Sequence, residues 1–289
     1  NTSRAANAPR MPTSIRQSKP NGSNAGSIAL PKRPSALSSM RRAAAWASSA
    51  ARASSCAFSI GRLSGLISSN SAIGTNPTPD EAFRDREPYH PYLGYGASKM
   101  RGELAVGEAL EAVGVPGVIL RPPWFYGRFQ PARQARFLQT VRTGRFPLIG
   151  DGGNRRSMVD VDRLAMAAWL ALRADTDGVR PYWIADAQPY TMNEILEAVR
   201  QAARLEGLPV KDGALRLPAI AGRVAYRVDA GLQRLGRYQQ EIHVAGELDK
   251  TIACQVEGAV QELGFEPATD LVDGMRRSYR WGRENGQDV

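Results

Sequence analysis

No aspartate or glutamate occurs before Asp80, while ten lysines and arginines lie in that stretch. The first 63 residues are rich in Ser, Ala, Arg and Pro and carry no sustained period-2 or period-3.6 apolar pattern. A one-signed stretch of that kind has too little apolar surface to offset the cost of ordering itself. The fold therefore has to be built from the residues beyond it. The whole chain holds 38 basic and 28 acidic residues, so its formal charge of +10 belongs to the segment before Asp80, and beyond it the two signs balance at 28 each. Residues 80–289 have the composition of an ordinary globular enzyme and are long enough to bury a full core.

The same composition excludes several classes. No basic stripe interleaved with aromatics marks the balanced part, which argues against nucleic acid as a partner. No apolar run reaches 18 residues, so a transmembrane helix is not expected. Cys56 and Cys254 make no disulfide framework, which fits a reducing, cytoplasmic compartment. His90 and His243 are far apart in sequence, and no Cys/His/carboxylate cluster has metal-ligand spacing, so no metal is expected.

From about Gly65 the pattern changes. Leu66-Ile67 leads into Ser68-Ser69-Asn70-Ser71, and Pro77, Pro79, Pro88 and Pro91 keep the next stretch non-helical. Helical periodicity runs from near Tyr92 to Val113 and stops at Gly114. Val115 to Leu120 reads as a short buried strand, closed by Pro122-Pro123. The next helix spans about Arg133 to Thr143, and another opens at Asp160-Val161-Asp162 and runs to Leu172. Tyr182 to Ala185 reads as a strand. Thr191-Met192-Asn193-Glu194 reads as a capping box for a helix ending near Leu205. Further helical stretches fall around 218–236 and 270–284. Strands alternating with helices predict an α/β fold with a parallel sheet.

Tyr95-Gly96-Ala97-Ser98-Lys99 carries the candidate chemistry. Residues i and i+4 share one helix face, so a phenol and an ammonium at this spacing can act on one substrate. Hydride exchange at a secondary alcohol needs a base, and its reverse needs an acid. A phenol near pKa ~10 is too weak a base at neutral pH unless a cation favours the phenolate. The bland alternative, a partly exposed helix pair, is weighed against the neighbours: the serine run upstream and Leu120-Arg121-Pro122-Pro123-Trp124-Phe125-Tyr126-Gly127 downstream.

Together these resemble the extended short-chain dehydrogenase/reductase family, the NAD-dependent epimerases/dehydratases, over residues 65–289. The closing Val260-Gln261-Glu262-Leu263-Gly264-Phe265-Glu266-Pro267 and the helix ending near Trp281 fit the same pattern. The resemblance implies a Rossmann-like parallel sheet with a small C-terminal substrate-binding lobe, NAD or NADP as cofactor, and a small-molecule substrate, with a homodimer left open. It implies Tyr95 as acid/base and Lys99 as its electrostatic partner and ribose ligand. Ser69 would hold the reacting oxygen, with Ser68 as the alternative, and Pro122 would lie at the nicotinamide. Trp124 stands where nucleotide-sugar members commonly carry an asparagine, which points to a more aromatic pocket. Arg156, in Gly150-Asp151-Gly152-Gly153-Asn154-Arg155-Arg156-Ser157, matches an arginine that meets substrate phosphate, and a guanidinium suits bidentate anion binding. A solvated turn is its bland alternative, as a strand-to-loop hydrogen bond is for Ser69. The expected divisions are a basic segment over 1–64, the C-terminal part of a cofactor-binding domain over 65–186, and mainly a substrate lobe over 187–289. The activity implied is NAD(P)-dependent oxidoreduction of the epimerase/dehydratase type, on a sugar nucleotide or another secondary alcohol or ketone.

One part of the family pattern is absent. A strand, a glycine-rich G-x-x-G-x-x-G turn and a helix should precede the serine strand and hold the pyrophosphate. Gly22-Ser23-Asn24-Ala25-Gly26 is the nearest candidate, but it comes after polar residues and is rejected. The basic segment fits a transit peptide to an organelle, a disordered tail, or out-of-frame translation of a GC-rich gene. The last is favoured, since a transit peptide would precede the glycine motif and not replace it. The missing initiator Met likewise points to a fragment. The alternative to an enzyme is then a non-catalytic remnant or binding module unable to hold the cofactor.

Overall fold

Two residues separate the strand β1 (Cys56–Ile60) from β2 (Leu63–Ile67), with Ile60 paired to Leu63, so these strands form a hairpin and run antiparallel. They open the computed structural model, which describes residues 56–60, 63–237 and 239–289. A 3-10 turn at Asn70–Ala72 comes next, then helix α1 (Leu93–Ala112), β3 (Gly117–Arg121) and β4 (Trp124–Tyr126). After these come α2 (Ala132–Arg142), β5 (Pro147–Ile149), β6 (Arg155–Arg156), β7 (Met158–Asp160), α3 (Val161–Ala171) and β8 (Val179–Trp183). The C-terminal part holds β9 (Tyr190–Thr191), α4 (Met192–Leu205), β10 (Leu215–Leu217), α5 (Ile220–Arg234), α6 (Gln240–Glu247), α7 (Glu257–Leu263) and α8 (Leu271–Glu284).

The main sheet has the order β1-β2-β3-β8, with β2, β3 and β8 parallel. This is the Rossmann-like α/β arrangement expected from the sequence, with an antiparallel edge strand added by the hairpin. That edge strand lies inside the segment 1–64 set apart by composition, and the rest of that segment before it, with the rejected Gly22–Gly26 motif, is outside the described residues. β3 is buried along its whole length, as a strand covered on both faces must be. Val118, Leu120, Tyr182 and Ile184 form one core with Ala167 of α3 and Leu263 and Phe265 around α7. Among the described residues no helix is long and apolar enough to cross a membrane.

Helix α1 is fixed to the end of β3 by a buried ion pair. Arg121 Nη2 lies 2.6 Å from Glu103 Oε2, and its Nε donates to the same carboxylate at 3.1 Å. Tyr89 donates to that carboxylate at 3.0 Å, and Arg121 Nη1 donates to the Asp85 carbonyl at 2.9 Å. The pair thus joins helix, strand and the loop before the helix at one point. Arg121, part of the Arg-Pro-Pro turn, is structural.

A second core is built by Tyr126, Leu138, Met192, Ile195, Met275 and Tyr279, chiefly from α2, α4 and α8. The capping box at α4 forms as its sequence requires: the Glu194 amide donates to Thr191 Oγ1 at 3.1 Å and the Thr191 amide to Glu194 Oε2 at 2.7 Å. Asp160 caps α3 by accepting from the Asp162 amide at 2.8 Å. Asp186, buried beside this core, accepts from Tyr126 Oη at 2.8 Å and Tyr190 Oη at 3.2 Å. Burial pushes its carboxyl up to about 7 despite both hydrogen bonds.

These buried acids have two consequences for stability. Glu103→Ala leaves Arg121 charged and uncompensated, so urea unfolding should lose about 3–5 kcal/mol; a loss below about 1 kcal/mol would show that the pair does not fix the helix. For Asp186, a folded pKa raised above the unfolded value stabilises the fold at low pH, and that contribution is lost as pH rises through about 7. Asp186→Asn should therefore gain on the wild type by roughly 2–3 kcal/mol between pH 5 and pH 8. A pH-independent difference would contradict the buried carboxyl.

Candidate active site

Ser69 sits where β2 ends, its backbone extended (φ −161°, ψ 158°), and caps the 3-10 turn by accepting from the Ser71 amide at 3.3 Å. The Ser68 amide donates to Leu120 O at 2.8 Å, and the Asn70 amide to Pro122 O at 3.4 Å. The C-terminal ends of the adjacent parallel strands β2 and β3 are thereby held side by side, the place where open α/β sheets bind ligands. Tyr95, in the first turn of α1, shares a hydrogen bond with Ser69. Lys99, one turn further on and 3% exposed, holds its Nζ 5.4 Å from the centroid of the Tyr95 ring. The three residues named from the sequence come together, and Pro122 is buried beside them. Ser68 is buried too, but it is Ser69 that reaches the phenol.

This approach depends on Gly96. A Cβ there would stand 2.3 Å from the Ser71 carbonyl oxygen and 3.1 Å from the Pro91 carbonyl carbon. Only a residue without a side chain lets α1 settle onto the turn that carries Ser69.

The electrostatics differ from the expectation that Lys99 makes the phenol acidic. Burial is the largest effect on Tyr95 and raises its pKa above the ordinary phenol value. Arg133, at the start of α2, and the Ser69 hydrogen bond act in the lowering direction, and Glu247 adds to the rise. The ammonium lies 5.4 Å from the ring centroid.

Trp124 and Arg156 also meet. The Arg156 guanidinium lies 6.0 Å from the Trp124 ring centroid, while Trp124 Nε1 donates to Gln134 Oε1 at 3.0 Å and its ring meets Phe137 edge-on at 4.7 Å. Arg156 is not on a solvated turn: β6 pairs with β9 and bridges to Ile252, leaving it 7% exposed. Among the described residues its Nη1 has no hydrogen-bond partner. Burial lowers its pKa, and Glu247, Asp249 and Tyr92 oppose that shift.

Sequence reasoning found the helix over 218–236, here α5, but missed α6 and the side chains that join the two. His243 Nδ1 lies 2.7 Å from Asp229 Oδ2, and Asp229 Oδ1 accepts from Gln233 Nε2 at 2.9 Å. The buried imidazole stands edge-on to Tyr95 with ring centroids 6.2 Å apart, and 5.1 Å from Tyr92. Its Nε2 is 3.9 Å from Glu247 Oε1, the carboxylate whose charge also acts on Tyr92, Tyr95 and Arg156. Isolated in the chain, His243 is a neighbour of the phenol in space. The i, i+4 spacing of His243 and Glu247 was the one available signal. Tyr92 and Tyr226 further line a groove of about 480 Å³.

Residues 49–185 match the model of the NAD dependent epimerase/dehydratase family. The chain is 45% identical over 229 residues to y4nL, an uncharacterised protein of Sinorhizobium fredii, covering 77% of this chain and 63% of that protein. It is 29% identical over 194 residues to a 2-alkyl-3-oxoalkanoate reductase of Stenotrophomonas maltophilia, covering 63% of this chain and 56% of that enzyme. In fold it is similar to UDP-glucuronic acid 4-epimerase from Bacillus cereus, solved with NAD, at a TM-score of 0.55 and 18% identity, over 76% of this chain and 60% of that one. The chain spans less than two thirds of the length of each of these proteins.

Two glycines of α1 separate close approach from helix propensity. Gly102 has nothing within 4 Å of an added Cβ, so Gly102→Ala should stabilise by about 0.5–1 kcal/mol. Gly96→Ala should destabilise, since the Ser71 backbone must move. Equal effects in thermal unfolding would contradict the packing of α1 on the serine turn.

Proposed function

We propose, for a chain whose residues 49–185 belong to the NAD dependent epimerase/dehydratase family, a Ser-Tyr-Lys site for NAD(P)-dependent chemistry at a secondary alcohol or ketone. The observation that carries this reading is the Ser69–Tyr95 hydrogen bond with Lys99 one helical turn beyond, at the C-terminal ends of parallel strands. The donor set fits the nicotinamide half of the cofactor: the Lys99 ammonium suits ribose hydroxyls, and the buried turn at Pro122 adjoins the Tyr95 hydroxyl through Ser69. When bound, the cofactor supplies or accepts the hydride.

The chain's own residues supply the proton chemistry. Ser69 Oγ orients the reacting oxygen and donates to the Tyr95 phenolate when it forms. Tyr95, kept protonated by burial, delivers a proton to a carbonyl oxygen in the reducing direction and takes it back in the oxidising one. Lys99 and Arg133 bring positive charge to the phenolate. Arg156, buried beside an aromatic ring with a donor unpaired, suits an anionic group on the substrate. A phosphate of a sugar nucleotide and the carboxylate of an oxoacid meet the same requirement, in keeping with the names of the epimerase and reductase relatives.

The second reading, a remnant that cannot hold the cofactor, rests on the glycine-rich turn missing from the sequence upstream of Ser68. The two separate by halves of the cofactor. Saturation-transfer NMR on this chain should detect nicotinamide mononucleotide, with the signal lost in Lys99→Ala, and should detect no adenosine monophosphate. Absence of any nicotinamide signal favours the remnant. With the glycine-rich part restored, Tyr95→Phe should lower kcat by about 10²–10⁴-fold on whichever nucleotide sugar, oxoacid or hydroxysteroid-like alcohol turns over; an undiminished rate would refute the role of the phenol.

A further inference from the structure

The helix that holds His243 from one side presents a different surface on the other. Asp229, on the inward face of α5, is fully buried. On the outward half Ile220, Val224 and Val228 recur at i, i+4 and i+8, exposed by 56%, 52% and 46%, and Leu235 continues the line at 77%. Beside that stripe run Arg223, Arg227 and Arg234, all exposed. Between Leu215 and Arg237 there are five arginines, and Asp229 is the single acid. The outward half of α5 is thus apolar and cationic at once, with no acidic residue of the helix itself on that face.

We propose that the outward face of α5 docks the protein on an anionic lipid surface, independently of what the site inside catalyses. An amphipathic helix lies in the interfacial plane when an apolar stripe enters the acyl boundary and flanking cations meet lipid phosphates. Charge decides among the occupants. The chain's own segment before Asp80 has ten positive charges and no negative one, so it is repelled by the arginines. A second copy offering the same face would set arginine against arginine. An anionic bilayer satisfies stripe and arginines together.

Flotation of the full chain with phosphatidylcholine vesicles, with and without phosphatidylglycerol, tests this. The chain should float with the anionic vesicles and not with the neutral ones, and salt should weaken binding. V224D/V228D, at exposed positions, should cut the floated fraction about tenfold or more with an unchanged thermal melt. Should that variant fold poorly, R223Q/R227Q/R234Q answers the same question by removing charge alone. Undiminished flotation of both variants would assign binding to the basic N-terminal segment and overturn the proposal, as would no flotation at all. So would a dimer in sedimentation velocity that V224D/V228D dissociates, which would give the face to a second copy.

Discussion

Glu103 stands one helical turn past Lys99 and two past Tyr95, so all three project from one side of α1. Its carboxylate is clamped by Arg121 at the last position of β3, and neither side chain meets solvent to any extent. Two charges taken out of water are costly unless geometry and hydrogen bonds compensate, and here Tyr89 and the Asp85 carbonyl complete the set. The pair fixes both the rotation of the helix and its height along the strand. Once these are set, the phenol has to fall beside the end of β2, where Ser69 is held by its own turn. Gly96 removes the last obstacle to that approach.

The charges around Tyr95 oppose one another. Burial holds Tyr95 in its protonated form, Glu247 reinforces this, and Arg133 and Ser69 work against it. Such a balance suits a group that must give up a proton and recover it, because a newly arrived charge can tip it. The His243–Asp229 pair packs against the same ring from α6 and α5. The charge of Glu247 acts on Tyr95 and Arg156 alike.

Much of this was legible in the chain, for physical reasons that differ by element. α1, α2, α3, α4, α5 and α8 announce themselves by period and caps, and the Thr191–Glu194 box is local chemistry that tertiary structure leaves intact. β3 reads as a buried run between Gly114 and Pro122. The short strands β4, β5, β6, β7, β9 and β10 are two or three residues long, too brief for any period to show. α6 and α7 were missed for the same reason of length, and with them His243. Ser69, Tyr95 and Lys99 stand at a strand end and at i, i+4 on one helix, where spacing displays them, whereas Asp229, Glu247 and Arg133 act across the fold. The sequence displays the cation four residues from Tyr95 and hides the burial that raises its pKa.

The packing of α1 on the serine turn is the claim on which the active-site reading rests, and the phenol itself reports it. A pH titration by NMR of ring-labelled tyrosine, with the Tyr95 resonance assigned through Tyr95→Phe, reads its ionisation directly. The expected result is ionisation above the ordinary phenol value of about 10, moved higher still in Ser69→Ala by loss of the hydrogen bond. A Tyr95 that ionises at or below the ordinary value, or one indifferent to Ser69→Ala, would contradict the account.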